Sequence, residues 1–153
     1  MKSNRKVFEL LQTLEVGEKC TIHVSSDSMW PLIDINDQLI LERTSVRKIA
    51  EFDIVVFYSC EYKKMMVHRA IDVFKKNEKT IFFTKGDNSL FKDVSVVTEE
   101  NFLGKVIFVK NKKISLEDNN YKWLSFYYSN KLFLKIKQKL FYFLYNSRFN
   151  SFF

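Results

Sequence analysis

Seven short segments rich in Val, Ile and Phe, each bounded by polar turns, dominate the sequence between residues 21 and 116. Segments of this length and composition are typical of β-strands. No helical pattern separates them, whereas parallel strands need long crossover connections that are usually helical. The sequence therefore predicts a mainly-β fold with an antiparallel body of the barrel or sandwich type. The predicted strands span residues 21–25, 38–42, 53–58, 65–74, 79–84, 105–109 and 113–116.

A helix is predicted on each side of this β body. Over residues 4–15 the apolar residues recur at helical spacing, and Gly17 stands just beyond the end of the pattern. Over residues 131–147 apolar side chains again fall on one helical face, with lysines largely on the other. The chain thus divides into a short N-terminal helix at 1–16, the β body at 17–117 and a helical C-terminal tail at 118–153.

Basic and aromatic residues are concentrated near the C-terminus. The formal net charge is +7, and residues 110–153 hold 9 basic and 2 acidic residues, which accounts for all of it. Of the 25 Phe, Tyr and Trp residues, 13 lie between Tyr121 and Phe153. A basic, aromatic amphipathic helix suits a peripheral position on an anionic membrane surface, here through residues 118–153. Packing of its apolar face on the β body is an equal alternative.

Other partners and protein classes are disfavoured. Nucleic acid is not expected as a partner, because residues 110–153 have eight Lys to one Arg and no recognisable binding motif. Residues 1–15 carry no secretory signal, and no stretch reaches the ~18 apolar residues of a spanning helix. Cys20 and Cys60 have neither the spacing nor the His partners of a zinc site. We therefore expect a cytoplasmic or peripherally membrane-bound protein without a metal or other cofactor.

Three segments carry side chains suited to catalysis. Ser26 and Ser28 follow the first predicted strand, His68 lies in the fourth, and Asp87 and Asp93 lie in and after a Gly-Asp-Asn turn. An imidazole is a suitable general base near neutral pH, and a carboxylate can orient it toward a serine hydroxyl. Each segment alone also fits a structural explanation, namely a hydroxyl-rich turn, a half-exposed strand residue and a tight loop.

Taken together, the segments follow a recognisable order. They read Ser-x-Ser-Met-x-Pro, then Val-His-Arg, then Thr-Lys-Gly-Asp-Asn, then Leu-Gly-Lys-Val. Three of the four Gly and Pro residues in the chain, Pro31, Gly86 and Gly104, lie in these motifs. In this order the motifs resemble the signal peptidase I superfamily of serine peptidases (S24/S26 type), over roughly residues 17–109.

The resemblance is to the branch found in archaea and the endoplasmic reticulum, where His replaces the general-base Lys of most bacterial enzymes. It implies a signal-peptidase and LexA-like β-barrel-type body. Family enzymes usually carry an N-terminal membrane anchor. Because no stretch of this sequence is long and apolar enough for a spanning helix, the expectation here is a small form without one.

The resemblance also implies roles for individual residues. By position, Ser28 is the nucleophile, His68 the general base and Asp93 the acid that orients the imidazole. Asp87 matches a supporting acid. Lys85 lies in the same motif and offers a Ser–Lys alternative, but a lysine base needs strong desolvation, so His68 is favoured.

The surroundings of the nucleophile carry further expectations. The backbone N–H of Ser28 and the hydroxyl of Ser26 are expected to stabilise the oxyanion, and Met29 to help position the substrate. Asp27 departs from the family pattern, which usually has Gly before the nucleophile. Asp tolerates left-handed backbone better than most residues, which favours retention of the turn, although its carboxylate would disfavour a developing oxyanion.

The sequence thus predicts a serine endopeptidase of the signal-peptidase type that cleaves a precursor or leader peptide. A self-cleaving regulator of the same superfamily is disfavoured, because no Ala or Cys is followed by Gly and no DNA-binding helix pair precedes Gly17. The main alternative is a non-catalytic module of the same fold that binds leader peptide or membrane without cutting, and Asp27 supports it.

Overall fold

One α-helix and seven strands make up the part of the protein that the structure describes. The computed structural model describes residues 2–117. The helix α1 spans Lys2–Gln12, and a 3₁₀ turn spans Val46–Lys48. The predicted helical tail, 118–153, lies outside the described residues. The strands are β1 (Lys19–His23), β2 (Gln38–Glu42), β3 (Ile54–Ser59), β4 (Lys64–Lys76), β5 (Lys79–Lys85), β6 (Phe102–Val109) and β7 (Ile114–Ser115).

The mainly-β prediction is confirmed, since all seven predicted strands are present. Helix α1 lies two to three residues closer to the N-terminus than predicted. Strand β6 begins at Phe102, three residues before its predicted start, and runs through Gly104. A Cβ at Gly104 would overlap the carbonyl oxygen of Glu42 on β2, so β6 can approach β2 this closely only because the position lacks a side chain.

The strands form one antiparallel sheet in the order β1-β2-β6-β3-β4-β5, with β7 paired to β6. The end strands β1 and β5 do not pair in the described part of the chain, so the expected barrel-type closure is corrected to an open sheet. The sheet stays open at β4 because the two halves of this long strand have different partners. Its residues 69–76 pair with β5, whereas residues 64–68 pair with β3 alone among the described strands. Strand β1 and residues 64–68 of β4 therefore each present an unpaired edge.

Strand β3 is buried on both faces and separates two apolar clusters. Ile54, Val56 and Tyr58 belong to the first cluster, whereas Val55 and Phe57 belong to the second. A strand covered on both sides needs no polar face, which explains its uninterrupted apolar run. The first cluster is completed by Phe8, Val24, Met29, Leu32, Ile33, Leu39, Leu41, Leu103, Val106, Val109 and Leu116, and the second by Val46, Ile49, Ala70, Phe82, Val97 and Phe102.

The connection between β1 and β2, residues 24–37, is fixed where it leaves and rejoins the sheet. The backbone N–H of Val24 donates to the carbonyl oxygen of Asp37 at 3.0 Å, and the N–H of Asn36 donates to that of Val24 at 2.9 Å. Between these points Met29 and Ile33 are buried in the first cluster. The residue before Met29 is therefore held close to the sheet.

Helix α1 packs on the sheet through a narrow apolar face. Phe8 is buried, and its ring centroid lies 5.3 Å from that of Tyr58 on β3. Leu10, by contrast, is 68% exposed. The side chain of Gln12 donates to the carbonyl oxygen of Glu100 at 3.1 Å, which ties the end of the helix to the loop before β6. Residues 2–117 contain no helix that is long and apolar enough to span a bilayer.

Replacing Phe8 with Ala is expected to lower the free energy of unfolding by about 3–5 kcal/mol, because the first cluster loses a buried ring. Leu10→Ala is the matched control on the same helix, and its exposed position predicts a change within about 0.5 kcal/mol. Denaturation of both variants in urea measures the difference. Equal effects of the two substitutions would contradict the docking of α1 through Phe8.

Candidate active site

Ser28 lies in a tight turn just before the buried residue Met29. The N–H of Trp30 donates to the carbonyl oxygen of Asp27 at 3.0 Å, which closes the turn around Ser28. The Trp30–Pro31 peptide bond that follows is cis. Asp27 is not among the described residues with positive φ, so the turn is made without left-handed backbone at this position.

The hydroxyl of Ser28 meets that of Ser26. The two Oγ atoms are 3.3 Å apart, and Ser28 is half-buried while Ser26 is exposed. The structure thus places the predicted oxyanion donor beside the predicted nucleophile. Met29 is 1% exposed, so it anchors the turn in the core.

His68 and Asp93 are in direct contact. Nδ1 of His68 lies 2.6 Å from Oδ2 of Asp93, and the imidazole is almost fully buried on β4. Phe57 packs against the imidazole, with the ring centroids 6.3 Å apart and the planes at 64°. Nε2 on the other side of the ring is buried and has no hydrogen-bond partner within the described residues. Since a buried polar atom without a partner is costly, Nε2 marks a place where a second group is expected to bind.

Asp93 lies in the loop after β5 and is held there by Thr84. The N–H of Asp93 donates to the carbonyl oxygen of Thr84 at 2.7 Å, and the Thr84 hydroxyl donates to Oδ2 of Asp93 at 2.5 Å. The same carboxylate oxygen therefore contacts both Thr84 and His68. Thr84 is fully buried.

Gly86 lies where the segments of Ser28 and His68 meet. The N–H of Asn88 donates to the carbonyl oxygen of Ser28 at 2.8 Å, which joins the turn after β5 to the nucleophile segment. A Cβ placed on Gly86 would lie 2.7 Å from that oxygen and 3.2 Å from Nε2 of His68. Together these distances mean that the carbonyl oxygen of Ser28 and Nε2 of His68 are at most 5.9 Å apart. A side chain at residue 86 would therefore push the predicted nucleophile and base apart.

Asp87, predicted as a supporting acid, binds Arg69. Its Oδ1 accepts from Nε of Arg69 at 2.8 Å and its Oδ2 from Nη2 at 2.6 Å. The two side chains are only 1% and 2% exposed. Nη1 of Arg69 donates to the carbonyl oxygen of Phe52 at 2.8 Å. Of the two acids named from the sequence, Asp93 is therefore the one that binds the imidazole.

The pleat of the sheet explains why the two acids have different partners. Side chains alternate between the two faces along a strand. In the β4–β5 pairing Ala70 lies opposite Thr84, and Arg69 lies opposite Lys85. His68, two residues from Ala70, shares the face of Thr84, whereas Lys85 shares the face of Arg69. The alternative base Lys85 is also buried, but it projects from the face opposite to His68.

A cavity of about 180 Å³ adjoins Ser28. One wall is formed by residues 22–26, at the end of β1, and the other by residues 64–67 of β4. Residues 22–23 of β1 and residues 64–67 of β4 each have an edge that pairs with no other strand in the described part of the chain. Among residues 2–117, no group of three or more His, Cys, Asp or Glu side chains is placed to hold a metal ion.

Two residues of this site had no role assigned from the sequence, although both stand in its motifs. Arg69 follows His68 in Val-His-Arg. A guanidinium inside a predicted strand could have indicated a buried carboxylate partner, because a buried charge needs one. Thr84 opens Thr-Lys-Gly-Asp-Asn. Its importance depends on the β4–β5 register, which places it on the face of His68 and which the sequence does not specify.

Comparison with known proteins supports a distant relation to signal peptidases. Over 79 residues the chain is 30% identical to Signal peptidase I W of Bacillus subtilis (strain 168), a match that covers 51% of this chain and 41% of that protein. The match thus spans less than half the length of this relative. No family model matches the chain. The similarity suggests a signal-peptidase-like serine peptidase, while assignment to the branch with a His base stays a prediction from the motifs.

Arg69→Met is expected to lower the free energy of unfolding by about 3–5 kcal/mol, because it leaves the Asp87 carboxylate buried without a partner. The double variant Arg69→Met/Asp87→Leu removes that unpaired charge and is expected to regain most of the loss.

Lys92→Ala is the control for this pair. Lys92 lies 3.1 Å from Asp72 with both side chains about half-exposed, so its loss is expected to cost about 1 kcal/mol or less. Thermal and urea unfolding of the three variants provide the measurement. A single Arg69→Met variant as stable as Lys92→Ala would show that the buried pair does not hold the loop in place.

Proposed function

We propose that the protein is a serine endopeptidase of the signal-peptidase type that cleaves a precursor or leader peptide. The observation that carries this proposal is the His68–Asp93 contact of 2.6 Å, with the opposite nitrogen of the imidazole buried no more than 5.9 Å from the carbonyl oxygen of Ser28. The similarity to a signal peptidase supports the same class of reaction.

In the proposed reaction Nε2 of His68 removes the proton of the Ser28 hydroxyl as Oγ attacks the peptide carbonyl carbon. The C–N bond then breaks, and the imidazolium returns the proton to the leaving amine. Water enters by the same base-assisted route and hydrolyses the acyl-enzyme, which releases the new carboxyl terminus. Asp93 keeps the proton on Nδ1 throughout and stabilises the imidazolium as it forms.

The oxyanion is assigned to two donors on the nucleophile segment. The backbone N–H of Ser28 and the hydroxyl of Ser26 are the candidates, and the 3.3 Å separation of the two serine oxygens supports the second. Removal of one such donor typically costs about 10²–10³-fold in rate. Asp27 is exposed, so water screens its carboxylate from the developing charge.

An extended peptide would bind between the unpaired edges of β1 and β4. Such a peptide adds as a strand, because its backbone supplies the N–H and C=O groups that an open edge lacks. The edges line the cavity beside Ser28, so a peptide held there has alternate side chains directed into it. The family resemblance favours small side chains before the cut.

The nucleophile is tested by incubating the full chain and a Ser28→Ala variant with precursor peptides that carry small residues before the cut. Cleavage is expected for the wild type and is expected to fall by about 10⁴-fold or more in the variant, because the covalent route is lost. Ser115→Ala, an exposed serine on β7, is the control and should cleave at the wild-type rate. Mass spectrometry of the fragments gives both the rate and the cut site.

The base is tested with His68→Ala, Asp93→Asn and Lys85→Met, each checked for folding by circular dichroism. We expect His68→Ala and Asp93→Asn to lose cleavage, and Lys85→Met to retain it. Peptide that binds but stays intact with the wild type would refute the enzyme and favour the non-catalytic module. Full activity of His68→Ala would refute the assignment of the base.

A further inference from the structure

Thr84 contacts Asp93 through both its main chain and its side chain. The Thr84 hydroxyl donates to Oδ2 of Asp93 at 2.5 Å, and Nδ1 of His68 lies 2.6 Å from the same oxygen. The carbonyl oxygen of Thr84 accepts the N–H of Asp93 at 2.7 Å. One residue of β5 therefore fixes both the backbone and the carboxylate of Asp93.

We propose that Thr84 is a positioning residue that aims the Asp93 carboxylate at Nδ1 of His68. The inference rests on the proposed function, in which a fixed imidazole tautomer is needed for proton transfer. Asp93 stands in a loop, and its side chain is 15% exposed. The terminal torsion of an aspartate has broad minima, so a single contact to His68 leaves the carboxylate able to rotate toward solvent. With the Thr84 donor on the same oxygen, such a rotation breaks two hydrogen bonds at once.

The position requires a hydroxyl rather than a side chain of a given shape. Hydrogen bonds to an ionised carboxylate are stronger than those between neutral groups, and Thr84 is fully buried. Val has nearly the same shape but no donor, so Thr84→Val leaves Oδ2 with one described donor instead of two. Ser keeps the hydroxyl and loses only a methyl group.

The test compares Thr84→Val, Thr84→Ser and Thr80→Val in the full chain. Thr80 is the matched control because it is a buried threonine on the same face of β5, opposite Lys75 and four residues from Thr84. The first readout is the downfield NMR proton resonance of the His68 Nδ1–H, which reports the contact to Asp93 whether or not the protein cleaves peptide. The second is kcat and KM with the precursor peptide identified by the Ser28→Ala experiment.

We expect Thr84→Val to weaken or abolish the resonance and to lower kcat by about 10-fold to 100-fold with KM unchanged, because small displacements of a catalytic group cost rate in this range. Thr84→Ser should retain both properties, and Thr80→Val should match the wild type in both. If Thr84→Val does not fold, as judged by circular dichroism, Thr84→Ala replaces it in the same comparison.

Two outcomes overturn the inference: an unchanged resonance and kcat in Thr84→Val, or an equal loss in Thr80→Val. A resonance lost in Thr84→Val but kept in Thr84→Ser supports it even in a wild-type protein that cleaves no peptide. In that case the proposed function fails, while the positioning of Asp93 by Thr84 stands.

Discussion

The buried ion pair between Arg69 and Asp87 fixes the loop around which the candidate site is arranged. Removing a guanidinium and a carboxylate from water costs several kcal/mol per ion, which is offset only when the pair is well aligned and its other donors are satisfied. Here both carboxylate oxygens accept from Arg69, and the remaining guanidinium nitrogen donates to Phe52. The pair ties β4 to the turn after β5. Gly86 directly precedes Asp87 and lies close to the Ser28 segment. The ion pair therefore also holds the turn against that segment.

Three segments that are distant in the sequence meet at this turn, and each is held by a different kind of interaction. Ser28 is held through Met29 in the apolar core and through the hydrogen bond from Asn88. His68 is held by the pairing of β4 with β3, in which it lies opposite Val55. The alternation of side chains along β4 then places His68 on one face and Arg69 on the other. The strand that carries the structural ion pair therefore also carries the predicted base, one residue away.

The strands could be predicted from the sequence because each has a local signal, namely a Val- and Ile-rich run between polar turns. Closure of the sheet could not be predicted, because it depends on whether β1 and β5 meet, and no local pattern specifies that contact. The same limit applies to the acids. Asp87 and Asp93 stand six residues apart in one loop, and the residue to which each turns is set by the β4–β5 register. The motif resemblance named Asp93 as the acid beside His68, and the structure shows that contact, whereas only the three-dimensional arrangement showed that Asp87 binds Arg69.

The contact between the two serine hydroxyls bears on how the proposed reaction begins. Oγ of Ser28 lies 3.3 Å from Oγ of Ser26, while Nε2 of His68 has no hydrogen-bond partner within the described residues. The Ser28 carbonyl oxygen and Nε2 are no more than 5.9 Å apart, so the backbone of Ser28 lies near the imidazole, and the proposed proton transfer requires the Ser28 side chain to rotate toward Nε2. In the proposed reaction the same rotation releases the Ser26 hydroxyl, which then becomes available to the oxyanion. The proposed mechanism therefore couples activation of the nucleophile to completion of the oxyanion site through the side chain of Ser28.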